Sequence, residues 1–406
     1  MSPLFGSSMR QGNEYMQNES IICFANDWDS DPTSKHQIMR ILSRKNRILW
    51  INSIGMRKPT VSTSDVGRIF TKLKEWSKGP RRVNDNLYHF TPIVLPFPTS
   101  KSARYLNQHI LVHSINHHKR KLGLRNPQLW SFLPNVVGIV GNLGEKIFIY
   151  YCVDEWSQFS FMDGRSMRDM ERRILNKADL VITSARHLYN DKIRYNVNTH
   201  HVSHGVDYAY FSRTISEKLP LPKDMGDIKR PIIGFFGLIH EWIDLDLIAK
   251  IASARPDWSI VLIGRISVNV DQLKALGNVF FLGQKPYDKL INYCKGFDIG
   301  LIPFRINELT VNVNPIKLRE YMAAGIPVVS TPLPEVIPYE DLVCIGHSEE
   351  EVISGIEDLL KDNNDELRLQ RSLRMANETW EQKVDDISRM IASLNHSGIK
   401  AGAGKC

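Results

Sequence analysis

The chain has 406 residues, 42% apolar and 24% charged, with a formal net charge of +8. That balance describes a folded globular chain of about two domains and excludes a disordered or collagen-like one. No apolar run approaches the ~20 residues that cross a bilayer, and none follows the polar N-terminus as a secretory signal would. Five widely spaced cysteines without a Cys-x-x-Cys pair point to a reducing, intracellular setting without disulfides or a zinc ribbon.

In chain order, Ile21–Asn26 reads as a buried strand, and Ser34–Lys45 as a helix with Ile38, Met39, Ile41 and Leu42 inward. Strands are predicted at Arg47–Ile51, Leu87–Phe90, Leu129–Leu133, Ile147–Val153, Leu180–Ser184 and His200–Ser203. Such short apolar runs, alternating with helical stretches, indicate βαβ units and a parallel sheet. Ile215–Arg230, with Pro220 and Pro222, reads as a linker. The alternation then restarts, with strands at Pro231–Ile239, Trp258–Ile263, Val279–Leu282, Ile299–Phe304, Val328–Ser330 and Leu342–Ile345. Helices are predicted at Leu245–Ala254 and around 286–295, 315–324 and 349–361. A last helix, about Glu378–Leu394, spaces Trp380, Val384, Ile387 and Ile391 on one face. The expected fold class is α/β, with two Rossmann-like doubly wound domains, 1–214 and 231–376, facing a cleft across the linker 215–230. Residues 377–396 form a helix expected to pack back toward the N-terminal domain.

Charge is unevenly divided. Residues 1–213 hold 30 Lys and Arg against 17 Asp and Glu, whereas 214–406 hold 22 against 27. Between Lys35 and Arg125 the ratio reaches 19 to 3, which suits a polyanion: a phospholipid surface, a nucleic acid or a phosphorylated substrate. A solvated basic face without a partner is the plainer alternative. Gly67–Arg82 sets Phe70, Leu73 and Trp76 on one face with Lys72, Lys74 and Lys78 around them, the pattern of a helix lying in a membrane interface. The alternative is that these apolar positions pack on the chain's own sheet. A second basic cluster, His117–Arg125, follows the helix-like Tyr105–Asn116. No helix-turn-helix, zinc or RNP pattern supports nucleic-acid binding, and none is expected.

The most informative stretch is NVNPIKLREYMAAGIPVVSTPLP, Asn312–Pro334. Asn314 suits an N-cap and Pro315 the first helical position, while Gly325 suits the helix end. The free N–H groups of such a helix start favour a diphosphate, and Lys317 adds a full charge one turn inside. Glu320 shares that face and can accept hydrogen bonds from sugar hydroxyls. An ordinary i,i+3 surface ion pair is the alternative. Asp154 follows the strand Ile147–Val153 and should project into the cleft, where a carboxylate could deprotonate an acceptor hydroxyl or merely cap the next element.

NPIKLREYMAAGIPVV resembles the donor-binding signature of GT-B glycosyltransferases, particularly the family 4-like, bacterial cell-surface polysaccharide type. ADLVITSARHLYNDK (178–192), GVDYAYF (205–211), GFFGLIHEWIDLDLI (234–248), VFFLGQKPYDKLINYCKGFDIGLIPF (279–304) and YYCVDEWSQF (150–159) agree in order and spacing. The resemblance implies a nucleotide-sugar donor, most often of uridine diphosphate, and no bound metal or other cofactor. Gly237 would let the backbone approach the phosphates, Gln284 and Lys285 with Pro286 would hold the base, and Glu320 the ribose. The acceptor would be a lipid-linked saccharide at the inner face of the cell membrane, on an anionic surface, with Asp27 and His36 as acceptor-side candidates. Retaining members usually carry a glutamate where this chain has Asn312, and an Arg and Lys after the first strand of the C-terminal half that are missing here. His240 and Arg265 are the nearest substitutes, and His204 stands where the family has Asn. A nucleotide-sugar epimerase, a catalytically silent relative and a nucleic-acid-binding protein are the competing readings.

Overall fold

The N-terminal apolar runs assemble into an eight-stranded sheet in the computed structural model, which describes residues 15–54, 74–94 and 101–396. Its strands are β1 (Ser20–Phe24), β2 (Arg47–Ile51), β3 (Arg81–Arg82), β4 (Leu87–Phe90), β5 (Gln128–Ser131), β6 (Ile147–Cys152), β7 (Leu180–Thr183) and β8 (Thr199–His201). They lie in the order β3-β4-β2-β1-β5-β6-β7-β8, parallel except for β3 against β4. The runs are continuously apolar because both faces are covered. Ile21 and Cys23 of β1 enter one core, whereas Ile22 and Phe24 enter the core on the opposite face. The helices include α1 (Ser34–Leu42), α2 (Lys101–Lys121), α3 (Gly164–Leu175) and α4 (Arg186–Lys192).

The second sheet is wholly parallel, in the order β11-β10-β9-β12-β13-β14. It comprises β9 (Ile232–Phe236), β10 (Ser259–Ile263), β11 (Val279–Gly283), β12 (Ile299–Ile302), β13 (Val328–Ser330) and β14 (Val343–Ile345). Its helices include α5 (Leu245–Ala254), α6 (Leu290–Gly296), α7 (Ile316–Ala323), α8 (Glu349–Lys361) and α9 (Asp365–Arg374). The final helix α10 (Trp380–His396) buries Trp380, Val384, Ile387 and Ile391 in the N-terminal core beside Ile38 and Met39 of α1.

The chain crosses between the domains twice, and the crossings touch. Val206 bridges in parallel to Thr379, with the Val206 N–H donating to the Glu378 carbonyl at 2.9 Å. Val202 belongs to the N-terminal core, and Val206 and Phe211 to the C-terminal one, so the first crossing lies near 203–206 rather than in 215–230. The supposed linker is packed: Met225 is buried in the C-terminal core, and Asp224 accepts from the Tyr293 hydroxyl at 3.0 Å. Prolines there shape a fitted strap, which composition alone cannot distinguish from a free linker. Among the described residues no helix is long and apolar enough to cross a membrane.

Candidate functional site

The carboxyl ends of β9 and β10 stop at glycines that face each other. Gly237 and Gly264 have φ of +145° and +144°, a region that L side chains rarely adopt. A Cβ on Gly264 would lie 1.9 Å from the Gly237 carbonyl oxygen, and one on Gly237 would lie 2.2 Å from Lys317 Cε. Gly237 is therefore a bare bed for the Lys317 stem. That is a more immediate reason for glycine than the approach of a phosphate.

Lys317 stands in the first turn of α7, its Nζ 5.6 Å from the Phe235 ring centroid. Glu320, one turn on, is 7% exposed. The two do not close into an ion pair, and among the described residues neither side chain has a hydrogen-bond or ion-pair partner. Burial holds the Lys317 ammonium below its ordinary pKa, with Glu320 opposing. Burial likewise pushes the Glu320 carboxyl up to about 7, with Lys317 opposing and Asp207 adding to the rise. A buried carboxyl and a half-buried ammonium without side-chain partners are costly, and a ligand with anionic oxygens and hydroxyls would relieve both.

The cap of α7 differs from the expected one. Pro315 is the N-cap, and the Asn314 amide does not cap the helix. It donates to the Ser184 carbonyl and to Glu335 Oε2, both at 2.8 Å, and accepts from Arg319 at 2.7 Å. Glu335 also accepts from the Arg186 backbone N–H at 2.7 Å. Asn314 is thus committed to the joint between domains and not to the start of α7. His204, buried at the first crossing, tilts against Trp380 at 5.7 Å, and burial pushes its pKa down to about 3, so it is neutral.

Other donor-side candidates are partly committed. Lys285 pairs with Asp224 at 2.7 Å, and Gln284 donates across the cleft to Asp31. A cavity of about 420 Å³ lies there, between the loop after β1 and the Gln284–Tyr287 turn. Arg265 is exposed at the rim, where its backbone carbonyl accepts from the Ile239 N–H at 3.0 Å. His240 stacks on Trp242 at 4.2 Å and faces Phe161 of the N-terminal domain at 6.3 Å, so this loop forms an aromatic contact across the cleft. Asn312 donates to the Glu308 carbonyl at 2.7 Å and lines a second cavity, about 390 Å³, beside α3 and α4.

On the acceptor side, half-buried Asp154 follows β6. Burial raises its pKa, Lys35 opposes and Glu155 adds. Glu155 is anchored by Lys192 at 2.8 Å, and Lys192 also holds Glu171 at 2.7 Å, which fixes the root of this loop. Asp27 is exposed and accepts from the Ser53 N–H at 3.0 Å and its hydroxyl at 2.7 Å. His36 is a core residue and not an acceptor ligand. Its Nδ1 accepts from the Thr33 N–H at 3.1 Å, so Nε2 carries the proton toward the Trp28 carbonyl at 3.2 Å. Burial pushes its pKa down to about 4.

Phe70, Lys72 and Leu73 lie outside the described residues. Lys74 and Trp76 are exposed on a short helical turn. Beyond it, α2 carries no acidic residue and exposes Tyr105, Leu106, His109, His113 and His117 along one face. Sequence reasoning missed Lys35, Arg319 and Glu335. Lys35 was within reach, since it shares an i, i+3, i+4, i+7 apolar face with Ile38, Met39 and Leu42.

Residues 230–362 match the family Glycosyl transferases group 1. Over 260 residues the chain is 29% identical to the teichuronic acid biosynthesis glycosyltransferase TuaH of Bacillus subtilis, covering 59% of this chain and 64% of that protein. The chain thus matches less than two thirds of that curated relative's length. Sucrose-phosphate synthase of Thermosynechococcus elongatus superposes with a TM-score of 0.68 at 12% identity, over 94% of this chain and 100% of that one. HepE of Anabaena, solved with UDP and glucose, gives 0.62 at 14% identity, over 93% and 99%. At such identities the likeness concerns the fold, which is GT-B.

The raised Glu320 pKa sets a sign for pH dependence. In the unfolded chain the carboxyl ionises near 4.3, so between roughly pH 4.5 and 7 only the folded state keeps the proton. Stability contributed this way is present below that window and lost as pH rises through it, by about 2–3 kcal/mol. The wild type is expected to lose unfolding free energy between pH 5 and pH 8, and Glu320→Gln to lose less by that amount, as read by urea denaturation at both pH values. Equal pH dependence in the two proteins contradicts the buried, unpaired carboxylate.

Proposed function

We propose that this GT-B protein, a group 1 glycosyltransferase by its C-terminal domain, moves a sugar from a uridine diphosphate sugar to a hydroxyl of a membrane-associated saccharide. The observation that carries the reading is the unpaired Lys317–Glu320 couple in α7, seated on Gly237 at the end of β9. Lys317 and the N–H groups at the start of α7 neutralise the diphosphate and favour its departure without a metal ion. Glu320 accepts from the ribose hydroxyls. The turn at Gln284–Pro286 walls the space for the base, with Arg265 at the rim.

Asp154 is the base on the acceptor side. A carboxylate there suits direct displacement, in which the acceptor oxygen attacks opposite the leaving diphosphate and the anomeric configuration inverts. HepE, of the same fold, binds UDP and glucose, which supports the choice of nucleotide. TuaH's name refers to teichuronic acid biosynthesis, which supports a cell-surface polysaccharide as the product. The basic N-terminal half and the acid-free, partly apolar face of α2 support an acceptor presented on an anionic lipid surface at the inner face of the membrane.

Thermal shift against UDP, GDP, ADP, CMP and dTDP tests the donor site. UDP is expected to raise the midpoint, and Lys317→Ala to weaken UDP at least tenfold, the cost of one charged hydrogen bond. A UDP response that Lys317→Ala leaves unchanged sinks the donor assignment. Co-sedimentation with phosphatidylglycerol vesicles tests the surface: binding is expected at low salt and should fall as salt rises. No binding to these vesicles at low salt removes the membrane part of the proposal.

A further inference from the structure

Asn314 stands three residues before Lys317, and its buried amide is fully engaged at the joint between the domains. Arg319 donates to the amide oxygen at 2.7 Å, which settles the orientation of the group. The amide nitrogen then donates to the Ser184 carbonyl and to Glu335 Oε2, each at 2.8 Å. Glu335 Oε1 in turn accepts from the Arg186 backbone N–H at 2.7 Å. Two side chains of the C-terminal domain therefore grip residues 184–186, where β7 passes into α4.

That grip extends to both chain neighbours of Asp154. The Ser184 hydroxyl donates to the Val153 carbonyl at 3.0 Å, and the Ser184 N–H to the Cys152 carbonyl at 3.1 Å. At the far end of α4, Lys192 Nζ donates to Glu155 at 2.8 Å. Val153 and Glu155 flank Asp154 in the chain. The path from Asn314 to Asp154 thus runs through two hydrogen bonds, joined by Ser184, and one peptide unit. Asn314, Ser184 and Val153 are buried, and a buried network with its bonds made holds its members in one geometry.

Sugar transfer needs this registration, because α7 and the loop after β6 belong to different domains. The acceptor oxygen must meet the anomeric carbon of a donor held at Lys317 while its proton lies on Asp154. An error of about 1 Å between the two holders can cost roughly a hundredfold in rate. We propose that Asn314 is a positioning residue: with Glu335 and Ser184 it sets Asp154 relative to Lys317 across the domain joint. The inference rests on the reading of Lys317 as a donor ligand and of Asp154 as the base. A nucleotide that steadies α7 then steadies the Asp154 loop through the same bonds.

Amide hydrogen exchange, read by mass spectrometry with and without UDP, tests the link. In the wild type UDP is expected to slow exchange about twofold or more in residues 150–157 and 184–192. Asn314→Ala is expected to bind UDP within about threefold of the wild type and to lose most of the slowing in both segments. Ser184→Ala is expected to lose most of it in 150–157 and to spare 184–192. Ser184→Thr keeps the hydroxyl and is expected to behave as the wild type. A merely structural role would lower stability without separating the two segments. Slowing that survives Asn314→Ala, a wild-type loop that bound UDP leaves unchanged, or equal effects of Ser184→Ala and Ser184→Thr overturn the proposal. If Asn314→Ala fails to fold, the two Ser184 variants decide. If UDP does not bind, the donor reading has failed instead, and the variants are compared without nucleotide. Faster exchange in 150–157 in Asn314→Ala and Ser184→Ala then supports the link, and wild-type exchange overturns it. UDP release from UDP-glucose at the wild-type rate by Asp154→Asn removes Asp154 as base, whatever the exchange shows.

Discussion

A half-buried lysine and a buried glutamate one helical turn apart, neither closed on the other, set the terms for the C-terminal domain. Lys317 can lie where it does only because Gly237 has no side chain, and Gly237 can turn as it does only because Gly264 leaves room beneath its carbonyl. The start of α7, the ends of β9 and β10 and the two charges therefore form one mechanical unit. In water such a pair would be an ordinary surface contact worth a few tenths of a kcal/mol. Withdrawn in part from water, each charge keeps a desolvation cost that a diphosphate nucleoside would remove.

The second domain is held in register by polar and aromatic contacts, with Ile316 of α7 packed against the N-terminal core. Asn314, Glu335 and the Ser184 carbonyl join the domains near α7, Gln284 reaches Asp31 across the cleft, and His240 and Trp242 meet the Phe159–Phe161 loop. Two touching chain crossings at Val206 and Thr379 complete the joint. Polar contacts of this kind can be exchanged for water at modest cost.

Much of this was legible in the sequence, for physical reasons that differ by residue. The strand runs and the Pro–helix–Gly–strand motif around Lys317 are local patterns, set by propensity within a few residues, and they lie within a few residues of where the spacing put them, with the cap on Pro315 in place of Asn314. Asn314 was misjudged because its partners, Ser184 and Glu335, are 130 and 21 residues away, and no local rule reports such contacts. His36 looked like a ligand because a histidine near a strand end is chemically suggestive; its neighbours Thr33 and Trp28 satisfy both ring nitrogens inside the core. The strap at 215–230 looked free because its prolines resemble a linker's, while Met225, its anchor, is a single apolar residue. Lys35 carried a usable signal, a charge on the apolar face of α1, which was hidden only by the expectation that lysines face solvent.

The most direct measurement is a crystal structure of the protein with UDP. The account predicts pyrophosphate oxygens within hydrogen-bond reach of Lys317 Nζ and of the first-turn N–H groups of α7, with the ribose hydroxyls on Glu320. UDP bound instead in the cavity beside α3 and α4, with Lys317 and Glu320 closed on each other, would contradict it.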